Sequence, residues 1–298
     1  MYDVVIIGAG PAGLSAGIYA CRGGFKVAII ENKSVGGQAQ TAADIQNYPG
    51  IKSTSGFDLC YAMMNQCMEF GAEFVFDSIA SVSLIGETKA IGLASGKIVE
   101  AKNVIIASGA NARKLGVPNE SKFIGKGVSY CATCDGAFFK GKTVAVIGGG
   151  NTAAEDALYL EKLAKKVYMV HRRDALRADD ILVKRLEKSN VEIVWDSVVE
   201  NLGGEDKITQ LTLKNVKTNA LTTISVDGVF VAIGQTPNSQ GFENISLSSG
   251  GYIIADENMH TNIDGVYAVG DVREKSLRQV VTACADGAIA ANAIVNGI

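Results

Sequence analysis

The residues most capable of chemistry are two cysteines, Cys131 and Cys134, which are separated by Ala-Thr and followed by Asp135. Cysteines at this spacing have pKa values lowered from about 8.5 toward neutrality, so a thiolate is present near pH 7. Such a pair exchanges electrons through a mixed disulfide that the second cysteine resolves. Asp135 is the ionisable neighbour of the pair and therefore the candidate proton donor. A turn residue before Gly136 is the alternative interpretation of this aspartate.

A glycine-rich loop near the N-terminus predicts a dinucleotide site. Gly8, Gly10 and Gly13 follow an apolar strand at residues 3–7 and open a helix. The first glycine permits the tight turn, the second lets the backbone approach a pyrophosphate, and the third lets helix and strand pack closely. The helix N-terminus adds N–H groups and partial positive charge for the phosphates. Glu31, at the end of the second strand, is placed to accept hydrogen bonds from a ribose.

The same pattern recurs after the cysteine pair and predicts a second dinucleotide site. Gly148 and Gly150 follow an apolar strand at residues 143–147, and Ala153 takes the third, close-packing position. Guanidinium groups pair bidentately with phosphates, so cations after the second strand favour the 2′-phosphate of NADPH over NADH. A solvated basic helix start is the alternative. Cations stand here where the first copy has an acid: His171, Arg172, Arg173 and Arg177.

Two dinucleotide sites whose side chains carry opposite charge imply one resident cofactor and one that exchanges. NADPH delivers electrons in pairs, and a flavin can accept a pair and pass it to a disulfide. The first site is therefore predicted to bind FAD, and the second NADPH.

The repeated units predict an α/β chain with two Rossmann-like dinucleotide-binding domains, the second inserted into the first. The apolar strands lack polar alternation, which is typical of parallel strands covered on both faces. Residues 252–255 and 265–269 are predicted to be short strands, and residues 279–295 a closing helix that completes the first domain. The expected division is 1–112 with 240–298 for the FAD-binding domain, and 113–239 for the NADPH-binding domain that carries the cysteine pair.

This division carries a mechanical prediction. The dithiol and the nicotinamide belong to the inserted domain, whereas the flavin belongs to the other, so the two compete for the flavin. The chain crosses between domains twice, near residues 112–117 and 234–241, which favours a hinge. We expect one domain orientation in which NADPH reduces FAD, and another that exposes Cys131 to a protein substrate.

Composition excludes several classes of protein. The chain has 298 residues, 47% of them hydrophobic, and a net charge of −3, which argues against nucleic-acid binding. The uncharged stretch 4–21 resembles a signal peptide or membrane span, but its glycines and Pro11 predict a buried strand–turn–helix unit. We therefore expect a cytoplasmic protein.

Six cysteines are too few for a secreted disulfide framework. Cys60 and Cys67 are seven residues apart in a predicted helix at 56–70, so they share a face and are expected in the core, as is Cys21. Tetrahedral zinc needs about four ligands, and the single Cys-x-x-Cys does not supply them. No metal site is predicted.

The chain resembles the bacterial low-molecular-weight thioredoxin reductases, which are flavoprotein disulfide reductases, along essentially its whole length. The order of CATCDG and HRRxxxR is the most specific part of this resemblance. The matching strings are GAGPAG (8–13), GGQ (36–38), NYPG (47–50), CATCDG (131–136), GGGNTA (148–153), HRRDALR (171–177), VYAVGD (266–271) and RQV (278–280).

The resemblance implies roles for these residues. In the family the counterpart of Cys134 receives electrons from the flavin, that of Cys131 attacks thioredoxin, and that of Asp135 is the acid or base at the dithiol; the enzyme is usually a homodimer. The implied FAD contacts are Gly8, Gly10, Pro11, Ala12, Gly13, Glu31, Asn32, Lys33, Gly36, Gly37, Gln38, Asn47, Ala107, Gly109, Gly270, Asp271, Arg278, Gln279 and Val280. The implied NADPH contacts are Gly148, Gly150, Asn151, Thr152, Ala153, His171, Arg172, Arg173, Arg177, Ile233 and Gly234.

The partner surface and two departures from the family leave alternatives open. Lys126, Phe138 and Phe139 flank the dithiol and are candidates for docking thioredoxin, although a hydrophobic lead-in to a strand is equally compatible. Ala137 stands where the family often has an aromatic residue, and Cys284 where it has a small one. The alternatives are a related flavoprotein that uses ferredoxin or another small disulfide protein, and a non-catalytic dinucleotide sensor, which would need no dithiol.

Overall fold

The computed structural model describes residues 1–42 and 44–297. The strands are β1 Tyr2–Ile7, β2 Val27–Glu31, β3 Glu73–Phe76, β4 Ile79–Ser83, β5 Lys89–Leu93, β6 Ile98–Ile106, β7 Ala110–Ala112, β8 Val128–Ser129, β9 Thr143–Ile147, β10 Lys166–Val170, β11 Glu192–Val194, β12 Ser197–Gly204, β13 Ile208–Asn215, β14 Leu221–Ser225, β15 Gly228–Val231, β16 Gln235–Pro237 and β17 Val266–Ala268. The helices are α1 Pro11–Arg22, α2 Gly56–Glu69, α3 Glu120–Phe123, α4 Ala132–Asp135, α5 Asn151–Glu161, α6 Asp180–Leu186 and α7 Val280–Asn296, with 3₁₀ turns at Gly37–Thr41, Gly136–Phe139 and Gly270–Val272.

The first compact unit comprises Met1–Asn111 and Thr236–Ile298. Its main sheet has the order β3-β2-β1-β6-β5-β4, with β17 also paired to β6. Strands β3, β2, β1, β6 and β17 run parallel, whereas β5 is antiparallel to β6, and β4 is antiparallel to β5. Alternate side chains of β1 enter two different apolar clusters, one beneath α1 and α7 and the other beneath the β4–β5 hairpin. Both faces of β1 are thus covered, as its unbroken apolar sequence predicts.

The second unit comprises Ala112–Gln235 and contains a five-stranded parallel sheet in the order β11-β10-β9-β15-β8. The side chains of β9 also alternate between two apolar clusters, one of which includes the buried face of α5. A separate antiparallel sheet, β12-β13-β14, covers the other cluster. The parallel strands at the centre of both sheets confirm the predicted α/β fold class, whereas the separate antiparallel sheet was not anticipated.

Several predicted elements can be compared directly with the structure. The uncharged N-terminal stretch forms β1 and α1, which confirms the strand–turn–helix prediction. Over the described residues, no helix combines the length and apolarity needed to cross a membrane. The strand predicted at 252–255 was wrong: Ile253 makes only isolated bridges, to Leu247 and Arg273. The 3₁₀ turn Gly270–Val272 and the closing helix α7 follow β17.

The unit boundaries fall at 111/112 and 235/236. The predicted boundaries were 112/113 and 239/240, and Ala43 and Ile298, which the predicted ranges include, lie outside the described residues. The connecting segments contain β7 and β16, which pair as a two-stranded sheet. The assignment of FAD to one unit and NADPH to the other stays a prediction.

Close packing of α7 on α1 generates a stability prediction. A Cβ at Gly287 would overlap the carbonyl oxygen of Ala12 and lie 2.8 Å from the backbone nitrogen of Ala16. Alanine normally stabilises an open helix position by about 1 kcal/mol relative to glycine. Here overpacking, at about 1–3 kcal/mol, should outweigh that gain, so Gly287→Ala should lower the free energy of unfolding in urea.

The control is Ala285→Ser at an exposed position of the same helix, which should change stability by no more than about 0.5 kcal/mol. A Gly287→Ala variant as stable as the parent would contradict the close approach of the two helices.

Candidate active site

The dithiol lies at the start of a one-turn helix in the second unit. Cys131 precedes α4 and forms a disulfide with Cys134, their Cα atoms 5.3 Å apart. The backbone N–H of Cys134 donates to Sγ of Cys131 at 3.2 Å, and that of Asp135 donates to the Cys131 carbonyl at 3.1 Å. A Cβ at Gly136 would lie 2.9 Å from the ring of Tyr159 on α5, so this glycine lets the turn pack closely against the helix of the second glycine loop.

Asp135 is held by a residue that the sequence analysis did not select. The hydroxyl of Ser129 donates to Oδ2 of Asp135 at 2.6 Å and accepts the Cys131 N–H at 3.1 Å. Cys131 is half-buried and Cys134 is exposed. The structure therefore brings both cysteines, the predicted proton donor and one buried hydroxyl into a single turn.

The first glycine loop fits a pyrophosphate. Gly8 has a φ of +107°, and a Cβ there would overlap the carbonyl of Ala107. A Cβ on Gly13 would overlap the carbonyl of Gly8, which is the close helix–strand packing that the third glycine permits. At Gly10, by contrast, no described atom lies within 4 Å of the Cβ position. The backbone is therefore open at Gly10, which is the position where the motif predicts that a phosphate approaches.

The carboxylate of Glu31 is engaged by backbone N–H groups. Oε2 accepts from Ala9 at 3.0 Å, and Oε1 accepts from Asn32 and Lys33 at 2.9 Å each. These bonds tie the end of β2 to the glycine loop. A carboxylate oxygen has two lone pairs, so Oε2 keeps acceptor capacity for a ribose hydroxyl.

The other residues predicted to contact FAD follow strands of the same sheet. Gly36 donates its N–H to the Ala9 carbonyl at 2.8 Å, which joins the 36–38 turn to the glycine loop. The amide of Gln38 donates to Asn111 at 2.8 Å, and that of Asn47 donates to Gln279 at 2.9 Å. Ala107 and Gly109 follow β6, and Gly270 and Asp271 follow β17, so these segments all lie at the carboxyl edge of the parallel strands.

Asp271 carries an orphaned buried atom. Its Oδ1 is buried and finds no hydrogen-bond partner in the described part of the chain, and the same holds for Nε of Arg278. Burial raises the pKa of Asp271, and Asp286 raises it further, while Lys275 and Arg278 oppose the shift. Unpaired buried polar atoms are costly, so this acceptor and donor fit a polar group such as a ribityl chain.

A buried ion pair supports this segment and was missed in the sequence. Asp286, on α7, accepts the N–H of Gly270 at 2.9 Å and the Nζ of Lys275 at 2.7 Å. Both side chains are 9% exposed. The pair fixes the turn before Asp271. Its only signal in the sequence is an aspartate inside an otherwise uncharged helix.

The second glycine loop has the same geometry. A Cβ at Gly148 would overlap the carbonyl of Ala232 and lie 2.7 Å from the Cβ of Ala153, whereas the Cβ position of Gly150 has no described atom within 4 Å. Asn151 and Asp179 exchange two hydrogen bonds of 2.8 Å, which orders the start of α5 beside the Arg177 segment. Thr152 lies in the first turn of α5. Ile233 and Gly234 follow β15, next to β9 in the sheet.

The basic cluster divides into two kinds of residue. Arg172, Arg173 and Arg177 are exposed, and none has an ion pair within 4.0 Å among residues 1–42 and 44–297. His171 is only 5% exposed; Nε2 lies 3.0 Å from the Ala175 carbonyl, and a Cβ on Gly149 would overlap its ring.

Burial lowers the pKa of His171, and the neighbouring arginines lower it further, against the opposing hydrogen bond to Ala175. His171 is buried against Gly149 and so supports the loop, while its role as a nucleotide contact stays a prediction.

The residues proposed for partner docking differ in exposure. Phe138 is 43% exposed, whereas Phe139 packs edge-on against Phe230 at 5.2 Å between ring centroids. Phe139 is partly buried and packs against the apolar core of the second unit, and a docking role for these residues stays a prediction. Lys126 is exposed.

The remaining cysteines are placed as packing residues. Cys60 and Cys67 are buried, as predicted, and burial raises their pKa values to about 11 and about 12. Cys284 is half-buried, with Sγ 3.7 Å from the Pro11 carbonyl, and burial raises its pKa against the opposing hydrogen bond from Tyr48. Cys21, also expected in the core, is only half-buried, and burial raises its pKa to about 11. Raised thiol pKa values disfavour thiolate at neutral pH, so none of these four cysteines competes with the dithiol.

Comparisons with known proteins agree along the whole chain. A family model for pyridine nucleotide-disulphide oxidoreductases matches residues 2–287. The chain is 47% identical over 302 residues to a thioredoxin reductase of Peptoclostridium acidaminophilum, covering 98% of this chain and 95% of the relative. It is 44% identical over 297 residues to that of Bacillus subtilis, covering 99% and 94%. A crystal structure of thioredoxin reductase from Streptococcus pyogenes matches with a TM-score of 0.94 and 44% identity, covering 99% of this chain and 97% of that one.

The orphaned oxygen of Asp271 gives a prediction with opposite effects on stability and binding. Because the folded-state pKa is raised above its ordinary 3.8, the folded chain binds this proton more tightly than the unfolded chain. The ionised Asp271 therefore lowers the free energy of unfolding at pH values above its raised pKa. This loss of stability is absent below pH 3.8. Asp271→Asn should raise the Tm of the cofactor-free chain at pH 7, with the difference shrinking toward pH 4.

The sequence predicts Asp271 as an FAD contact, and on that prediction the same variant should weaken FAD binding by about tenfold or more, because it removes a charged acceptor. Equilibrium dialysis measures this loss, with the exposed Asp206→Asn as control. Unchanged FAD affinity in Asp271→Asn would remove this residue from the proposed site.

Proposed function

Since the chain belongs to the pyridine nucleotide-disulphide oxidoreductase family, we propose that it is a thioredoxin-disulfide reductase that uses a flavin and a pyridine nucleotide. The observation that carries the proposal is the Cys131–Cys134 disulfide, set beside Asp135 and packed on the helix that begins at the second glycine loop. A non-catalytic nucleotide sensor would have no use for this dithiol.

We assign FAD to the first glycine loop and NADPH to the second. The open approach at Gly10, the spare acceptor of Glu31 and the unpaired oxygen of Asp271 support a flavin dinucleotide. Three exposed arginines beside the second loop support a 2′-phosphorylated nucleotide. When bound, the flavin accepts an electron pair from the nicotinamide and passes it to a disulfide.

The chain's own residues carry the second half of the reaction. The Cys131 thiolate attacks the thioredoxin disulfide, forms a mixed disulfide and releases one thioredoxin thiolate. The Cys134 thiolate then attacks Sγ of Cys131, which restores the Cys131–Cys134 disulfide and releases the second thiolate. Two electrons pass to thioredoxin in total, and its two thiolates take up two protons, one of which we assign to Asp135.

We also propose that the two units change orientation between the half-reactions. The dithiol and the arginines belong to Ala112–Gln235, whereas the first glycine loop belongs to the other unit. Two chain crossings join them, which is the connectivity of a hinge. Four free thiols, at Cys21, Cys60, Cys67 and Cys284, are in keeping with a reducing compartment, so we place the protein in the cytoplasm.

Replacement of Cys131 tests the proposed reaction. In the flavin-loaded chain, Cys131→Ser should still be bleached by NADPH without oxygen, because this step does not use the dithiol. Turnover of thioredoxin should fall by at least about a thousandfold, because the attacking thiolate is gone. The half-buried Cys21→Ser is the control and should retain full turnover. Thioredoxin reduction by Cys131→Ser at the parental rate would refute the proposal.

The basic cluster should set the choice of nucleotide. Replacing Arg172 and Arg173 together by alanine should raise the KM for NADPH by about 10- to 100-fold, because two charged hydrogen-bond donors to the 2′-phosphate are lost. The KM for NADH should stay nearly constant. Arg185→Ala, exposed on α6, controls for loss of charge. Equal losses with both nucleotides would contradict the assignment.

We propose that the protein is a homodimer, as its resemblance implies, and that α2 contributes to the interface. Phe57, Tyr61 and Met68 on this helix are 59%, 51% and 55% exposed, and the first two rings are stacked. Neighbouring exposed apolar side chains are typical of interfaces. In sedimentation velocity, Phe57→Asp with Tyr61→Asp should give a monomer, whereas Ile85→Asp, exposed on the loop between β4 and β5, should not. A monomeric parent would end this proposal.

A further inference from the structure

Ser129 is a buried polar residue beside the dithiol. It ends β8, which pairs in parallel with β15, and it is only 6% exposed although it lies two residues before Cys131. A buried hydroxyl must be hydrogen-bonded to be tolerated. The hydrogen bonds of Ser129 connect the end of β8 to Cys131 and Asp135.

The hydroxyl of Ser129 has one proton and two acceptors within reach. Oδ2 of Asp135 lies at 2.6 Å and the carbonyl oxygen of Cys131 at 3.3 Å. A hydrogen bond to a carboxylate is shorter and stronger than one to a neutral carbonyl, so the Ser129 hydroxyl donates to Asp135 while that carboxyl is ionised. The lone pairs of Ser129 meanwhile accept the N–H of Cys131 at 3.1 Å.

The same hydroxyl can serve the protonated carboxyl. A protonated Asp135 becomes a donor, and Ser129 Oγ can accept its proton by turning its own toward the Cys131 carbonyl. Reorienting one hydroxyl hydrogen therefore keeps Asp135 bonded in both of its protonation states. No heavy atom has to move, and Asp135 stays beside the cysteine whose backbone is held by the same oxygen.

We propose that Ser129 is the positioning residue for proton transfer at the dithiol: through its hydroxyl, which also binds the Cys131 backbone, it holds the Asp135 carboxyl in one place whether or not that carboxyl carries a proton. The inference rests on the proposed function of Asp135 and deepens it. Without the hydroxyl, the Asp135 side chain can rotate away from the turn, and proton transfer slows while substrate docking is unaffected.

The test compares Ser129→Ala, Ser129→Thr and Ser129→Val in the flavin-loaded full chain. Thr and Val are nearly isosteric and both suit a strand, so they differ at this site mainly by the hydroxyl. We expect Ala and Val to lower kcat with thioredoxin by about tenfold or more, because general acid–base catalysis contributes about 10²- to 10⁴-fold. The KM for thioredoxin and the rate of bleaching by NADPH should stay at the parental values, and Thr should restore kcat.

A double-mutant cycle with Asp135→Asn identifies the route of the effect. If Ser129 acts through Asp135, then Ser129→Ala should cause no further loss of kcat in the Asp135→Asn background. Full kcat in both Ser129→Ala and Ser129→Val would overturn the proposal, and so would equal losses in the two backgrounds. If the alanine variant does not fold, the Thr and Val pair carries the same comparison.

A second readout separates this inference from the proposed function. The Cys131–Cys134 disulfide can be reduced by dithiothreitol without NADPH and followed by thiol alkylation. Ser129→Val should be reduced more slowly than Ser129→Thr, because a departing thiolate needs its proton. A parent that fails to reduce thioredoxin would end the proposed function, while this comparison would still decide for or against Ser129. Equal dithiothreitol rates in Thr and Val would decide against it.

Discussion

The site depends on one constraint, which is that parallel strands deliver their carboxyl ends to the same edge of a sheet. In the first unit, the segments after β1, β2, β6 and β17 meet at that edge, and in the second those after β9, β10 and β15 do so. Residues far apart in sequence, such as Gly8 and Asp271, are brought to one edge of the sheet in this way. The glycine loops then provide open backbone at two points of these edges.

The two edges are built alike but differ in charge. In the first, the end of β2 is a carboxylate fixed by three backbone N–H groups. In the second, a buried histidine supports the loop, and exposed arginines follow it. The dithiol turn packs on α5 of this second unit through Gly136, so the redox-active pair is carried by the unit that has the cationic loop.

The parts of this arrangement that were predictable are those encoded locally. Glycine spacing, apolar strands and the change from Glu31 to an arginine cluster each lie within about thirty residues, so sequence alone located both loops and the dithiol. Burial and long-range pairing were not predictable. Nothing in the sequence indicates that the ring of His171 is buried against Gly149, or that Phe139 packs edge-on against Phe230. Ser129 and the Asp286–Lys275 pair carry no motif, because their roles arise only from partners brought close by folding.

The central claim is that an electron pair from NADPH reaches the Cys131–Cys134 disulfide and no other cysteine. The most direct measurement mixes the flavin-loaded chain with NADPH in the absence of oxygen, quenches with acid, alkylates the thiols and locates the labels by mass spectrometry. Our account predicts two new labels, on Cys131 and Cys134, while Cys21, Cys60, Cys67 and Cys284 are labelled equally with and without NADPH after denaturation. A flavin that is reduced while the Cys131–Cys134 disulfide stays intact would contradict it.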